Sequence, residues 1–368
     1  MTRKTRFVVL GLLAACGGAD DVAGVVDGSV DATVRELAVA HVEDLGLLPL
    51  PSATTVGRDG GPGGALGGKL LWTFGDTFCN ARNPIDDRNV LSATAGWSTV
   101  EAPLVLTQPV DGAGFPAQLI PYTADELAQN RAAPLDGWAL WPGMMIDTGA
   151  AEGLVVFQRI KRTSGSGFDS MGVGTARLAL DATVATRVDG DLFAPPEPLF
   201  MPQSVVDGMV YAMSCDQVGF LNVGCKLGRA PVADAGVRAA YTFHDGTTWQ
   251  ADIGRAAVVI DGLGGTPTIS WNPYLGRYLA VTGRILSSTV QLRTADRIEG
   301  PWSEPVEIAA SADGSTGIFA PTHEDAYNYV IIEHPALRAV DGQAIVISYS
   351  RPTEAFRGDV RLARITLE

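Results

Sequence analysis

Charge is scarce in this sequence. Only 18% of the 368 residues are Asp, Glu, Lys or Arg, against roughly 25% in an average domain. That excludes a charge-driven disordered chain and a coiled coil. Basic residues are the scarcer sign: 27 Lys and Arg stand against 41 Asp and Glu, a net charge of −14. Such a chain repels a phosphate backbone, so nucleic acid is excluded as a partner. Histidine is down to four scattered residues, His41, His244, His323 and His334. With no Cys-x-x-Cys and no His-Glu-x-x-His pattern, a zinc site lacks ligands at suitable spacing. Beyond the N-terminus, no stretch approaches the roughly 20 apolar residues of a membrane span. What is abundant is glycine (43) and proline (22), without a collagen-like period, in a chain that is 46% hydrophobic. Many turns, few charges and a large apolar content predict an all-β fold with a substantial core.

The N-terminus has the order of an address. Arg3, Lys4 and Arg6 precede the apolar run Phe7–Leu13, and Leu13-Ala14-Ala15-Cys16 follows. That run is about half the length of a membrane span. The pattern matches a lipoprotein signal, in which residues 1–15 are removed and the Cys16 thiol becomes a diacylglyceryl thioether. A secretory signal with a chance cysteine is the alternative. Residues 16–40 are rich in Gly, Ala and Asp and lack aromatics, so they read as a flexible linker, a first strand within them being the other reading. The expected location is the cell envelope, lipid-anchored, facing the periplasm or the exterior. The membrane is then touched only through the lipid, and the folded part is expected to be a monomer. Export implies oxidising conditions. Cys215 and Cys225 flank a polar stretch containing Gly and Asn, so a loop-closing disulfide is expected, with Cys79 left free and buried.

Strand-like runs recur between Gly, Pro, Asp and Asn turns. Lys69–Phe74, Gly153–Gln158, Val210–Ser214, Ala239–Phe243, Thr268–Trp271, Arg277–Val281, Val290–Arg293, Tyr329–Ile332, Ala344–Tyr349 and Val360–Ile365 are the clearest. They group into about five packets, roughly 50–65 residues apart, a spacing that suits propeller blades. The expectation is one five-bladed β-propeller over residues 41–368, its C-terminal strand pairing near His41–Leu48 to close the ring. A β-sandwich with a second β domain is the competing architecture, for which no mid-chain linker is evident. The one helical candidate is Thr123–Gln129, with Thr123 as N-cap and Glu126 completing a capping box.

The densest chemical signal is Gly57-Arg58-Asp59-Gly60-Gly61 followed by Leu71-Trp72-Thr73-Phe74-Gly75-Asp76-Thr77. The glycines allow turns at both ends of a strand, which would put Asp59 and Asp76 on turns facing a channel mouth. Two carboxylates there suit glycoside hydrolysis, one protonating the leaving oxygen and the other activating water or attacking. An Asp in a Gly-rich turn also commonly caps its own backbone. Arg58 could hold an active carboxylate ionised or bind substrate, or make a structural ion pair. Trp141 could stack on a sugar ring or sit in the core. His323 and Glu324 could contribute sugar hydrogen bonds or a third carboxylate, or form a solvated turn. Phe243–Trp249 is similar to the Asp-box turn of sialidase propellers but one residue short, and reads as a hairpin turn.

Gly57–Gly61 with Leu71–Thr77 resembles the opening signature of a bacterial family of secreted five-bladed propellers, long filed as a domain of unknown function. Some of its members are endo-D-arabinanases. Trp141-Pro142-Gly143 is similar to the family's second-blade element, Thr268–Leu279 to its fourth-blade opening, and Leu292–Asp296 with Gly300–Ser303 to the strand and turn that follow. The likeness spans most of residues 50–365; the middle blades match weakly, and Met144-Met145 stands where a more polar loop is expected. It implies that Asp59 and Asp76 are the paired acids and that active members invert. The function expected is a surface-anchored glycoside hydrolase cleaving a furanose-containing, arabinan-like polysaccharide. The alternative is a non-catalytic propeller that binds a glycan or a protein. No redox cofactor is implied. A structural Ca²⁺ near the channel is left open, although no clear calcium loop appears.

Overall fold

The computed structural model describes residues 34–149, 151–163, 167–309, 317–322, 326–354 and 357–368. The expected lipidation site Cys16 and the candidates His323 and Glu324 lie outside the described residues. The strands run in chain order. Strand β1 (Val39–Leu47) comes first. Then come β2 (Thr55–Leu66), β3 (Lys69–Cys79) and β4 (Val90–Thr99), followed after helix α1 (Ala124–Ala132) by β5 (Trp138–Asp147), β6 (Glu152–Arg162), β7 (Phe168–Ala179) and β8 (Thr186–Arg187). The third group is β9 (Met201–Val206), β10 (Met209–Gly219), β11 (Asn222–Pro231), β12 (Thr242–His244), β13 (Trp249–Gln250) and β14 (Val258–Leu263). The fourth is β15 (Thr268–Asn272), β16 (Arg277–Gly283), β17 (Val290–Ala295) and β18 (Val306–Ile308), and the last is β19 (Tyr329–Glu333), β20 (Ala344–Glu354) and β21 (Arg357–Leu367).

These form five antiparallel sheets: β2-β3-β4, β5-β6-β7-β8, β9 to β13 with β14 added beside β11, β15-β16-β17-β18, and β19-β20-β21-β1. The architecture is the five-bladed β-propeller expected from the spacing of the packets. The ring closes as expected: β1 supplies the outer strand of the last blade, pairing Val42 with Ile365 and Leu47 with Arg361. Ahead of β1, Leu37 is buried among blade-four and blade-five residues.

The core lies between blades rather than inside any one of them. Leu66, Leu71, Leu140 and Val155 join blades one and two; Ile146, Val156, Phe200 and Val210 join two and three. Met213, Leu227, Ile269 and Ala280 join three and four. Leu279, Val281, Ile345 and Ile347 join four and five, and Trp72, Phe74, Val346 and Leu362 join five back to one. A strand covered on both faces reads as a continuous apolar run rather than an alternation. Lys69–Cys79 does so, with Leu70, Trp72 and Phe74 facing blade five and Leu71 facing blade two. Helix α1 begins on the expected capping box, with Thr123 and Glu126 each closing on the other's backbone N–H. Glu126 is also paired with Arg187 at 2.6 Å and Arg159 at 3.4 Å, which pins the helix to blade two.

Innermost strands β2, β5 and β19 run in the same direction. Their early residues meet around Asp59, Trp141 and Tyr329, whereas the late residues Gly63–Ala65, Met144–Met145 and Ile332–Glu333 line a cavity of about 350 Å³. The channel therefore has two distinct ends.

Candidate active site at the channel mouth

Asp59 and Asp76 do converge, but within strands and not on turns as expected. The register of β2 with β3 pairs Arg58 with Thr77 and Gly60 with Phe74. One residue, Asp59, thus stands opposite two, Gly75 and Asp76, which is a β-bulge. Without it, strict alternation would carry Asp76 to the blade-five side with Trp72 and Phe74. The bulge turns Asp76 toward blade two instead, where it meets Arg162 and Trp141. Gly75 belongs there for space, since a Cβ on it would lie 3.2 Å from Asp59 Oδ1 and 3.3 Å from the Trp141 ring.

Each carboxylate has its own set of donors. Asp59 Oδ1 accepts the backbone N–H of Asp76 at 2.8 Å, and its Oδ2 accepts the Tyr329 hydroxyl at 3.0 Å. Nη2 of Arg162 bridges Asp76 Oδ1 and Oδ2 at 2.5 and 2.6 Å, and Trp141 Nε1 donates to Oδ1 at 3.3 Å. Asp76 is buried, whereas Asp59 keeps a partial opening to solvent. Loss of solvent around Asp59, with the neighbouring Asp76 charge, pushes its carboxyl up to about 7, against the pull of its hydrogen bonds and of Arg162. Burial and the Asp59 charge also raise the Tyr329 hydroxyl, so it stays a donor. Burial pulls the Arg162 guanidinium down, but contact with Asp76 outweighs it and the net shift is upward.

A polar scaffold stands behind the pair. Ser92, opposite Asp76 on β4, shares a 2.6 Å hydrogen bond with the Tyr122 hydroxyl and accepts the Leu140 N–H at 2.9 Å. Arg88 donates to Tyr122 at 3.0 Å and is held by buried Asp86 at 2.5 Å. Blades one and two are thereby fixed relative to each other where the acids sit.

Arg58 does not serve as a substrate ligand or as a charge partner for Asp59. Neighbours on a strand point to opposite faces, and Arg58 is fully buried, its guanidinium 3.9 Å from the centre of the Phe74 ring. It donates to the carbonyls of Leu48 and Pro49, tying the ring-closing strand to blade one; burial lowers its pKa to about 9. Trp141 is at the site, half-buried, its Nε1 on Asp76 and its ring edge-on to exposed Phe168 at 4.9 Å. Arg162 and Tyr329 belong to the site without any sequence signal of their own, because they arrive from blades two and five. Cys215 and Cys225 face each other across β10 and β11 and are disulfide-bonded. Cys79 is free and buried, its thiol pushed up to about 11 by burial. Among the described residues, no cluster of three or more His, Cys, Asp or Glu could hold a metal ion.

The cavity at the far end of the channel differs in character. Its lining is mostly apolar, and its buried charge, Glu333, is already satisfied by Ser270 at 2.6 Å and Arg338 at 2.7 Å. The paired carboxylates are at the mouth instead.

Residues 181–349 match the family model described as "Domain of unknown function (DUF4185)". The resemblance to a family filed as a domain of unknown function holds over that segment. The acid pair lies before the matched segment. No curated protein matches the chain. Among solved structures, it is similar to Zg3597, a family 117 glycoside hydrolase of the marine bacterium Zobellia galactanivorans, at 13% identity over 89% of this chain and 90% of that one, with a TM-score of 0.51. A GH43_1 enzyme from Xanthomonas citri complexed with xylotriose is 12% identical over 87% and 90% of the two chains, with a TM-score of 0.48. An α-L-arabinofuranosidase from Podospora anserina is 11% identical over 89% and 95%, with a TM-score of 0.47. At 13% identity the likeness to Zg3597 is one of fold.

Proposed function

We propose that the protein is a glycoside hydrolase acting on a furanose-containing, arabinan-like polysaccharide, held at the cell envelope by lipid on Cys16. The observation that carries the reading is the Asp59–Asp76 pair at the channel mouth, with Asp59 pushed up to about 7. A general acid must hold its proton at working pH and release it to the leaving oxygen. Asp59 fits that role, with Tyr329 and the Asp76 N–H steadying the carboxylate left behind. Asp76 then acts as the base that draws a proton from the attacking water, oriented by Arg162 and Trp141. A carboxyl that keeps its proton, beside a second one held by a guanidinium, is the arrangement of acid–base division of labour. The glycoside hydrolase nature of Zg3597, which shares the fold, supports the class of reaction.

Incubating the full chain with arabinan beside its Asp59→Asn and Asp76→Asn variants tests the reading. Release of oligosaccharides by the parent chain, lost in both folded variants, is expected. Equal release by the variants would overturn the assignment. One observation favours the second reading, a glycan-binding propeller without catalysis: the two short contacts from Arg162 occupy both oxygens of Asp76. It predicts glycan binding with no product.

A further inference from the structure

The hairpin between β10 and β11 is longer than its blade requires. Met213 pairs with Met201, the first residue of innermost strand β9. From there β10 continues through Cys215 to Gly219, and β11 returns from Asn222. At 3.3 Å per residue the extension stands roughly 20 Å beyond the start of the inner strand. Inner strands begin at the mouth that holds Asp59, so the ribbon rises on that side.

A bare two-stranded ribbon is marginal in water, and this one is braced. The disulfide joins Cys215 to Cys225 directly across it. Strand β14 lies along β11, pairing Val223 with Leu263 and Cys225 with Ile260. Asn222 Oδ1 accepts the Gly262 N–H at 2.7 Å. Val218 and Val258 close over Gly224, where an added Cβ would be 3.0 Å from both side chains. The braced tip presents Phe220, 92% exposed, between the exposed Val218 and Leu221.

We propose that this ribbon is one wall of a polysaccharide-binding cleft, and that Phe220 is a platform on which a sugar ring of a neutral glycan strand stacks. The inference takes its substrate class from the hydrolase reading. Aromatic rings bind the C–H faces of sugars through apolar contact and the ring quadrupole. Blade three does not adjoin blade one in the ring, so a strand that touches both Phe220 and the acid pair spans several sugar units. That geometry suits a polymer cut within its length. A lipid surface fits less well: apolar tips that enter bilayers are flanked by Lys or Arg for the headgroups. At the tip, residues 216–222 carry Asp216 and no basic side chain; Lys226, opposite Ser214, is at the base of the ribbon.

The test is native gel electrophoresis of the full chain through gels containing arabinan, galactan or no glycan. The chain carries Asp59→Asn and Asp76→Asn so that binding is read without hydrolysis. Retardation by a glycan is expected, weakened about tenfold in affinity by Phe220→Ala and restored by Phe220→Trp, with circular dichroism unchanged. Equal retardation of the parent and Phe220→Ala chains would overturn the inference. So would absence of retardation in every gel, or Phe220-dependent sedimentation with phosphatidylcholine vesicles in place of glycan binding. Phe220-dependent retardation by a chain whose active form releases no product would sink the hydrolase reading and leave the platform standing.

Discussion

The carboxylate of Asp59 accepts the backbone N–H of Asp76 at 2.8 Å, so the two acids are joined through main chain as well as through charge. The bulge that brings Gly75 and Asp76 opposite Asp59 makes this contact possible. Moving either acid would require rebuilding the β2–β3 pairing, and the pair is accordingly rigid.

With Asp59 as the proposed general acid, its raised carboxyl would set the pH dependence of hydrolysis. A general acid with a pKa of about 7 is competent below that value and loses its proton above it. Rates are expected to fall as pH rises through about 7. A kcat/KM profile on arabinan between pH 4 and 9 checks this, and a flat alkaline side would remove Asp59 from the acid role.

The same shift has a stability consequence of known sign. Between the ordinary Asp range near 4 and about 7 the folded chain holds a proton that the unfolded chain has lost. Stability contributed by this group is present at the acid end and is lost as pH rises through that window. Asp59→Asn cannot ionise, so its melting temperature relative to the parent should be higher at pH 8 than at pH 4.5. Identical differences at both values would contradict the burial of this charge.

Arg162→Gln removes the bridge across Asp76 and a positive charge that restrains Asp59. The alkaline limb of the rate profile should move upward, and kcat should fall about tenfold or more as Asp76 loses its orientation. Arg162→Lys, which keeps the charge, should hold the limb in place while still lowering kcat. A matched shift in both variants would show that geometry, not charge, governs Asp59.

Reducing the Cys215–Cys225 bond, or replacing both residues by Ser, should loosen the ribbon without opening the ring. A chain-entropy estimate for so short a loop is about 2–3 kcal/mol. Because the bond braces an extension beyond the inner strand, faster amide exchange should be confined to residues 215–226. Exchange spreading evenly over all blades would mean that the bond supports the whole fold.

The blades were legible because strands covered on both faces leave long apolar runs, and Lys69–Cys79 is one of them. The ring closure followed from the same logic, since an unpaired last strand needs a partner. The glycines make the acid pair visible, but they sit at two bulges inside the sheet, Gly75 opposite Asp59 and Gly61 opposite Thr73, and not at turns. The buried position of Arg58 is also legible in principle, because a neighbour of Asp59 on a strand faces the opposite side. Arg162 and Tyr329 were not legible. They lie 86 residues from Asp76 and 270 from Asp59; packing of blade two on blade one brings the first there, and closure of the ring the second.

The closing strand also decides from which side the ring is held. Tyr329 at the mouth pairs with Ser350, Ser350 with Val360, and the N–H of Leu48 bonds Val360, so the end of β1 is level with the mouth. Its beginning, Val39, pairs with Leu367 at the other end. Whatever restrains the chain through its N-terminus therefore takes hold at the far rim and pulls along the length of β1, loading its cross-strand bonds together in shear. The face bearing Asp59, Asp76 and Phe220 lies at the opposite rim from Val39, so a load applied there does not pass through the residues that hold the two acids.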